Sequence, residues 1–409
     1  MDDPETATHI FINTCGFIRD AKEESIAAIL EACTDYQGRE VVVAGCLVQR
    51  YRQELEKEIP EVSAWFGILD GANFQELLAA LGVTKGGCEG GNNLQGAPGE
   101  RNIKLDQSYA YLKISDGCDE PCTFCAIPLI KGPYRALPAE AILAEAEAYL
   151  REGARELVLV GQNTAIWREG DLDLADLVRL LAKDERVRWV RTMYLQPEQV
   201  SLSLVERLVS EPKWCRYFDL PFQHSHPDIL RAMGRAGDGA RNLELLRQIR
   251  TIVPDASFRS TFIVGFPGET EEHFAHLLAF AREARFDYAG GFVYSAEEGT
   301  PAAKLRPRVK RTTATRRLNQ LTATLEESSL QHRLQMLGAR VAVMIDTLDV
   351  TDLPPGVWSI GRTMGQAPEI DGVTYLEGPP VRDVRVGDVV EAQIEEVAGY
   401  DLVAACSAS

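Results

Sequence analysis

Apolar residues near the start of the chain come in short runs. Residues 9 to 14 (HIFINT) and 41 to 45 (VVVAG) have the length and β-branched content of buried strands, and a helix-period pattern, ESIAAILEAC, separates them. Each strand runs directly into a cysteine, Cys15 and Cys46, so the opening reads as a βαβ rhythm with a thiol at each strand end. Six further strand-like runs begin at Tyr109: YAYLKIS, ELVLVG, WVRTMYL, RYFDLPF, RSTFIVG and GGFVYS. Helical patterns fall between them, among them PAEAILAEAEAYLREG and ETEEHFAHLLAFAREA, the second opening with glutamates that suit a helix N-terminus. Strand and helix in alternation give a parallel sheet, here curved into a partial (β/α)6 barrel with its functional side chains at the C-terminal ends of the strands. From about Gly338 the pattern changes to short β-rich pieces (RVAVMI, GVTYLEG, GDVVEAQIEEV, DLVAA) separated by DG and GD turns, as in a small antiparallel β-barrel.

A Gly- and Asn-rich stretch without apolar period interrupts this order after the first block. The expected organisation is therefore an α/β N-terminal domain at 1–84, a linker at 85–104, the barrel domain at 105–336 and the small β-barrel at 337–409. No run reaches the ~18 apolar residues of a membrane span, and no basic-then-apolar leader opens the chain. A cytoplasmic protein without a membrane partner is expected. The formal charge of −18 argues against a general nucleic-acid binder, because phosphates reward Lys and Arg. Three of the nine cysteines crowd into eight residues, which speaks for metal rather than for a disulfide framework.

That crowd is CDEPCTFC, Cys118 to Cys125, directly after the first barrel strand. Thiolates of Cys118, Cys122 and Cys125 can hold three irons of a cubane and leave the fourth open. Zinc normally closes a tetrahedron with four ligands, and a ferredoxin cluster also needs a fourth cysteine; no such ligand lies within fifteen residues on either side. The CxxxCxxC spacing closely resembles that of radical S-adenosylmethionine (SAM) enzymes, in which SAM chelates the open iron and one electron cleaves it to a 5′-deoxyadenosyl radical. By that resemblance Phe124 lies beside the adenine, and Gly161, Gln162 and Asn163 after strand two meet the SAM amino group. Gln223 and His224 after strand four, and the GFPGET turn from Gly265, are further cofactor candidates. An ordinary packed Phe is the lesser alternative for Phe124, while ordinary turn chemistry accounts for the strand-end residues equally well.

INTCGFIRDAKEES and VVVAGCLVQRYRQELEKEIPEV resemble the N-terminal domain of radical SAM methylthiotransferases, and the resemblance continues through the cluster motif to a C-terminal TRAM domain. It implies two 4Fe–4S clusters: the radical cluster, and an auxiliary cluster with Cys15 and Cys46 as its second and third ligands. The first ligand of that pattern is absent from this chain, so the N-terminal domain is expected to be truncated. Cys33 falls in a helical core pattern, Cys88 in the linker, and Cys215 and Cys406 in cores. The reaction implied uses SAM twice, once to methylate a sulfur and once to remove hydrogen from an unactivated carbon, with an external electron donor.

LPFQHSHPDILRAMGR and APEIDGVTYLEG resemble the RimO-type branch, which modifies an aspartate β-carbon of a small-subunit ribosomal protein. Residues 338–409 hold 4 Arg, no Lys and 12 Asp plus Glu, a net of −8, which suits a basic ribosomal protein better than tRNA. Lys304, Arg306, Arg308, Lys310, Arg311, Arg316 and Arg317 form a basic run, read as a solvated helix face with RNA contact as the alternative. Two other functions stay open: a tRNA adenosine methylthiotransferase of the MiaB type, and a chain that binds a partner without turnover because its auxiliary site is incomplete.

Overall fold

The computed structural model describes residues 7–69, 71–81, 107–348, 351 and 353–406; the expected linker and Cys88 fall outside them. The described residues group into two compact units, the first drawn from Met1–Glu100, Gly117–Tyr134 and Ser295–Lys304, the second from Arg101–Asp116, Arg135–Tyr294 and Leu305–Ser409.

In the first unit β1 (His9–Thr14), β2 (Glu40–Gly45) and β3 (Ala64–Phe66) form a parallel sheet in that order. The period of two along β2 sends Val41 and Val43 to one face, where they pack with Ile29 of α1 (Arg19–Asp35) and Leu47 of α2 (Cys46–Glu58), with Cys33 against the same core. Val42 and Ala44 point the other way, onto Leu77 of α3 (Gly71–Ala80). Gly45 ends β2 at φ 115°, and a Cβ there would lie 2.5 Å from the Thr14 carbonyl oxygen. Only glycine fits between the paired strand ends, so α2 starts at Cys46. Segment Ser295–Lys304 is tied to this domain by Glu297, 2% exposed, which accepts from Lys22 Nζ at 2.6 Å and Arg50 Nη1 at 3.3 Å. Burial opposes its ionisation, but Lys22, Ser295 and Arg50 outweigh burial and hold its pKa below the usual carboxylate value.

The second unit contains the six expected parallel strands. β4 (Tyr109–Lys113), β7 (Glu156–Val160) and β10 (Trp189–Thr192) lie in the order β10-β7-β4, and β11 (Tyr217–Asp219), β12 (Ser257–Val264) and β13 (Tyr288–Val293) in chain order. A bridge between Val190 and Trp214 joins the two sheets. Short ribbons β5/β6 (Ser115–Asp116, Arg135–Ala136) and β8/β9 (Arg168–Glu169, Leu172–Asp173) decorate them. Alternate residues such as Leu157, Leu159, Val190, Phe218 and Phe262 pack outward on α5 (Ala139–Arg151), α6 (Leu174–Ala182), α7 (Leu202–Val209), α9 (Gly239–Ile252) and α10 (Glu271–Ala284). The intervening positions, among them Tyr109, Val158, Met193, Tyr217 and Tyr288, form a second core on the inner face. Among the described residues no helix is long and apolar enough to cross a membrane.

After α11 (Arg311–Arg333), strands β14 (Arg340–Thr347), β15 (Val357–Thr363), β16 (Thr374–Glu377), β17 (Val389–Ala398) and β18 (Asp401–Cys406) close a barrel in the order β14-β15-β16-β18-β17. Four pairs are antiparallel and one, β16 with β18, is parallel. The loop after β15 enters the first strand ends of the parallel barrel: Ala367 joins its inner core beside Met344 of β14, and Arg191 Nη1 donates to the Met364 carbonyl at 2.8 Å. A buried ion network fastens this junction. Glu156, 0% exposed, accepts from Arg191 Nε and Arg362 Nη1, both at 2.7 Å, and Arg362 also grips Asp346 at 2.7 and 3.0 Å. Cys215 and Cys406 are buried as core residues. The basic run departs from a wholly solvated face: Arg317 is 3% exposed and donates to Glu269 at 2.7 Å, because α10 and α11 pack side by side.

Candidate active site

The three-cysteine loop begins where the chain needs glycine. Gly117 has φ 71°, and a Cβ there would collide with the Pro133 carbonyl oxygen. The loop is then cinched at several points: Cys118 N–H donates to Gly132 O at 3.2 Å, Tyr134 N–H to Asp119 Oδ1 at 3.1 Å, and Ala302 N–H to Thr123 O at 2.9 Å. Cys125 N–H turns back to Cys122 O at 3.2 Å, and Cys125 Sγ accepts from Ile127 N–H at 3.4 Å, at the start of α4 (Ile127–Lys131). Cys118 is buried; Cys122, Phe124 and Cys125 are half-buried, and no disulfide joins the described cysteines. Burial, with Cys122 and Cys118 close by, pushes the Cys125 thiol up to about 12, against the opposing Ile127 hydrogen bond. Such a thiol does not ionise alone near neutral pH; coordination to a metal would deprotonate it. The donor set and its backbone N–H···S contact fit an iron–sulfur cluster.

In the same compact unit, Cys15 and Cys46 each follow directly on the paired residues Thr14 and Gly45. Gly16 packs so tightly behind them that a Cβ there would lie 2.7 Å from Cys46 O. The two cysteines thus stand at neighbouring strand ends, Cys15 exposed and Cys46 half-buried.

In the second unit, four strands carry a buried polar atom without a hydrogen-bond partner just beyond or at their C-terminal ends: Ser115 Oγ after β4, Gln162 Oε1 after β7, Gln196 Oε1 after β10 and His224 Nε2 after β11. Buried polar groups in folded proteins are nearly always satisfied, so a row of orphans along one barrel rim marks a place for a polar ligand. His224 Nδ1 accepts from His226 N–H at 3.0 Å, which leaves Nε2 as a donor. Burial, then the neighbouring His226, His273 and His276, lowers its pKa to about 3, and the ring stays neutral. Gly161 lies against the Ser115 hydroxyl, which a Cβ there would push aside. Gln223 takes φ 65° and donates its N–H to Thr261 O at 2.9 Å. The amides of Gly265 and Phe266 already donate to Glu269 Oε2, at 2.7 and 3.3 Å, so this turn's donors are engaged by the chain itself. Ser115 and Gln196 carry no signal in the sequence; both are common residues in ordinary loops, and only the missing partner distinguishes them.

A trio of metal-ligand type, His226, Asp228 and His273, has ligand atoms within 4.8 Å of one another. The two ring nitrogens Nδ1 accept from Asp228 N–H at 3.3 Å and Thr270 N–H at 3.2 Å, which gives these histidines a helix-capping role at α8 (Pro227–Ala232) and α10.

Residues 112–281 match the Radical SAM superfamily, 1–67 the uncharacterized protein family UPF0004, and 337–406 the TRAM domain. A ribosomal protein uS12 methylthiotransferase RimO from Aquifex aeolicus is 39% identical over 404 residues, covering 98% of this chain and 88% of that protein. A protein of the same name from Trichlorobacter lovleyi is 39% identical over 416 residues, covering 99% and 90%. The structure of the radical SAM methyltransferase TsrM from Kitasatospora setae shares the fold, with a TM-score of 0.54 at 13% identity over 79% of this chain and 78% of that one. A cysteine-bearing loop after the first strand of a six-stranded parallel barrel, an α/β domain before it and a TRAM barrel behind it agree with that likeness, and the chain belongs to the RimO-type family of radical SAM methylthiotransferases.

Proposed function

We propose that the protein transfers a methylthio group to the β-carbon of an aspartate in a small-subunit ribosomal protein, with residues 1–84 serving the sulfur, 105–336 the radical and 337–409 the partner. The observation that carries this reading is the pairing of Cys15 with Cys46 at adjacent strand ends, in one compact unit with the Cys118–Cys125 loop. A simple radical enzyme needs only the second of these thiol sets. Cys118, Cys122 and Cys125 would hold the radical cluster, and Cys15 and Cys46 would contribute to an auxiliary one. When bound, the radical cluster would supply the one-electron chemistry needed to activate an unreactive C–H bond with SAM and an external donor, a step beyond side-chain acid–base chemistry.

The chain's own residues bind and orient. Neutral His224 offers a hydrogen-bond donor, and Gln162, Gln196 and Ser115 offer acceptors, for the amino and carboxylate groups of SAM. Gly161 leaves room for the Ser115 hydroxyl, which a Cβ there would displace. For the partner, Glu391, Glu395 and Glu396 stand exposed on β17, an anionic face that attracts a basic protein. The relatives named for uS12 support the same choice. The test is mass spectrometry after anaerobic reconstitution with SAM and dithionite, offering a small-subunit ribosomal protein and unmodified tRNA in parallel. Methylthiolation of an aspartate in the protein is expected; modification of the tRNA alone would reverse the reading.

A further inference from the structure

The loop carrying APEID (Ala367–Asp371) has a task that partner attraction by an acidic surface leaves unexplained. It leaves β15 and enters the parallel barrel from the N-terminal ends of the strands. Asp371 Oδ2 accepts from Tyr217 O–H at 2.6 Å, deep on the inner face. Glu369, near the tip, accepts from Tyr109 O–H at 2.9 Å and from Tyr111 O–H at 3.1 Å. Both tyrosines lie on β4, which ends next to the orphaned Ser115 hydroxyl.

The tip is not sealed by these contacts. Glu369 is exposed, Ile370 is 46% exposed, and on the barrel side Tyr111 is 38% and Tyr194 46% exposed. Inner-face side chains of a closed hydrophobic core would not be so open. Tyr194 follows β10, two residues before the orphaned Gln196, and is near enough to Tyr111 to add to the rise of its pKa.

Backbone strain marks the same place. Of the five non-glycine residues with positive φ among the described residues, Tyr194 (56°) and Glu369 (67°) both belong to this surface. Left-handed backbone at a tyrosine and a glutamate is strained and persists where the surroundings impose it, typically at binding sites. The charges point to the kind of ligand. Arg259 is shared between two buried carboxylates, Asp219 at 3.2 Å and Asp371 at 3.5 Å, which leaves the Glu369 carboxylate as the exposed acid of the group.

We propose that Glu369, held by Tyr109 and Tyr111, is a subsite for a cationic side chain, Lys or Arg, of the protein substrate. This rests on the reading of the substrate as a basic ribosomal protein and adds where and how that protein is gripped. The tyrosine hydroxyls donate to the carboxylate from one side, leaving its remaining lone pairs to the ligand, and the ring faces offer a cation–π surface. Burial, followed by Glu369 itself, raises the pKa of Tyr109 and Tyr111, so both remain donors. The family-marking motif in the C-terminal barrel thereby becomes part of the substrate site in the parallel barrel, and Glu369 a specificity residue rather than a catalytic one.

The experiment is steady-state methylthiolation of the ribosomal protein by reconstituted wild type, Glu369→Gln and Glu369→Lys. Gln keeps one oxygen to accept from Tyr109, and Tyr111 O–H retains the Pro368 carbonyl at 3.1 Å, so the loop stays in place. Without the charge-assisted hydrogen bond to the substrate, KM rises by ~10-fold or more in Glu369→Gln, and further in Glu369→Lys. kcat stays within about twofold, and 5′-deoxyadenosine formation without protein substrate is unchanged, because SAM does not touch the residue. An unchanged KM in both variants overturns the inference while leaving the proposed function standing. A fall in substrate-free SAM cleavage also overturns it, since Glu369 would then act through the fold. A wild type inert toward every basic ribosomal protein defeats the underlying reading, and the subsite with it.

Discussion

Replacing Glu156 by Gln removes the carboxylate that bridges two guanidinium groups at the junction of the parallel barrel and the C-terminal barrel. Glu156 and Arg191 are 0% exposed, and the Arg362 side chain is 3% exposed. In the native network two arginines face two carboxylates, Glu156 and Asp346. The neutral amide would leave one positive charge unbalanced, and it would fall on Arg191, whose further contacts are the Met364 carbonyl and the Tyr217 ring face. Breaking one side of a buried pair costs about 3–5 kcal/mol. For a unit of this size that is a fall of roughly 10 °C in the calorimetric transition. Removing the orphaned cation as well, in Glu156→Leu/Arg191→Met, should recover most of the loss, because Arg362 and Asp346 remain balanced. Below the transition, SAM cleavage should match wild type, since the network lies at the opposite strand ends from the orphaned polar atoms. A shift under about 2 °C, or a double variant as unstable as the sum of its single changes, would refute the argument that unbalanced charge is the cause.

Gly161→Ala should leave the fold within ~1 kcal/mol of wild type, because the Ser115 hydroxyl can rotate away, but lower SAM affinity about fivefold through one missing hydrogen bond. Equilibrium dialysis checks it, and unchanged affinity would detach Ser115 from the cofactor site. Asp371 should give the junction a pH dependence: burial raises its carboxyl from 3.8 to about 6, despite Tyr217, Ala367 and Arg259. With the folded-state pKa raised, its contribution is full below pH 3.8 and lost as pH rises through 6, roughly 2–3 kcal/mol in all. Asp371→Asn should flatten that slope in denaturant titrations at pH 5 and pH 7, and an unaltered slope would assign it elsewhere. Reversing Glu391, Glu395 and Glu396 to Lys should slow association with the ribosomal protein and weaken its salt dependence, as stopped-flow binding at two ionic strengths would show. Equal rates would make these glutamates mere solubilising groups.

Strands such as β7 were legible because they bury both faces and so appear as an apolar run, ELVLV. The cysteine loop was legible because its spacing is local. The row Ser115, Gln162, Gln196 and His224 was only partly so: its members come from four different strands, and the shared rim is created by the fold. Arg317 illustrates a second limit, since a charge run reads as solvated until α10 places Glu269 against it. The entry of APEID into the parallel barrel was out of reach for a similar reason. Nothing local in Glu369 announces partners some 260 residues earlier in the chain.

The division of labour between the two thiol sets is tested most directly by counting 5′-deoxyadenosine from anaerobically reconstituted wild type, Cys122→Ala and Cys15→Ala under dithionite, with methylthiolated protein measured in the same samples. Two remaining thiolates in the loop cannot hold a cubane with one open iron, so Cys122→Ala should fall to background in both products. Cys15→Ala should keep making 5′-deoxyadenosine at the wild-type rate while its methylthiolated product disappears. Cys122→Ala cleaving SAM at the parent rate, or a folded Cys15→Ala losing that cleavage, would contradict the assignment of the two sites.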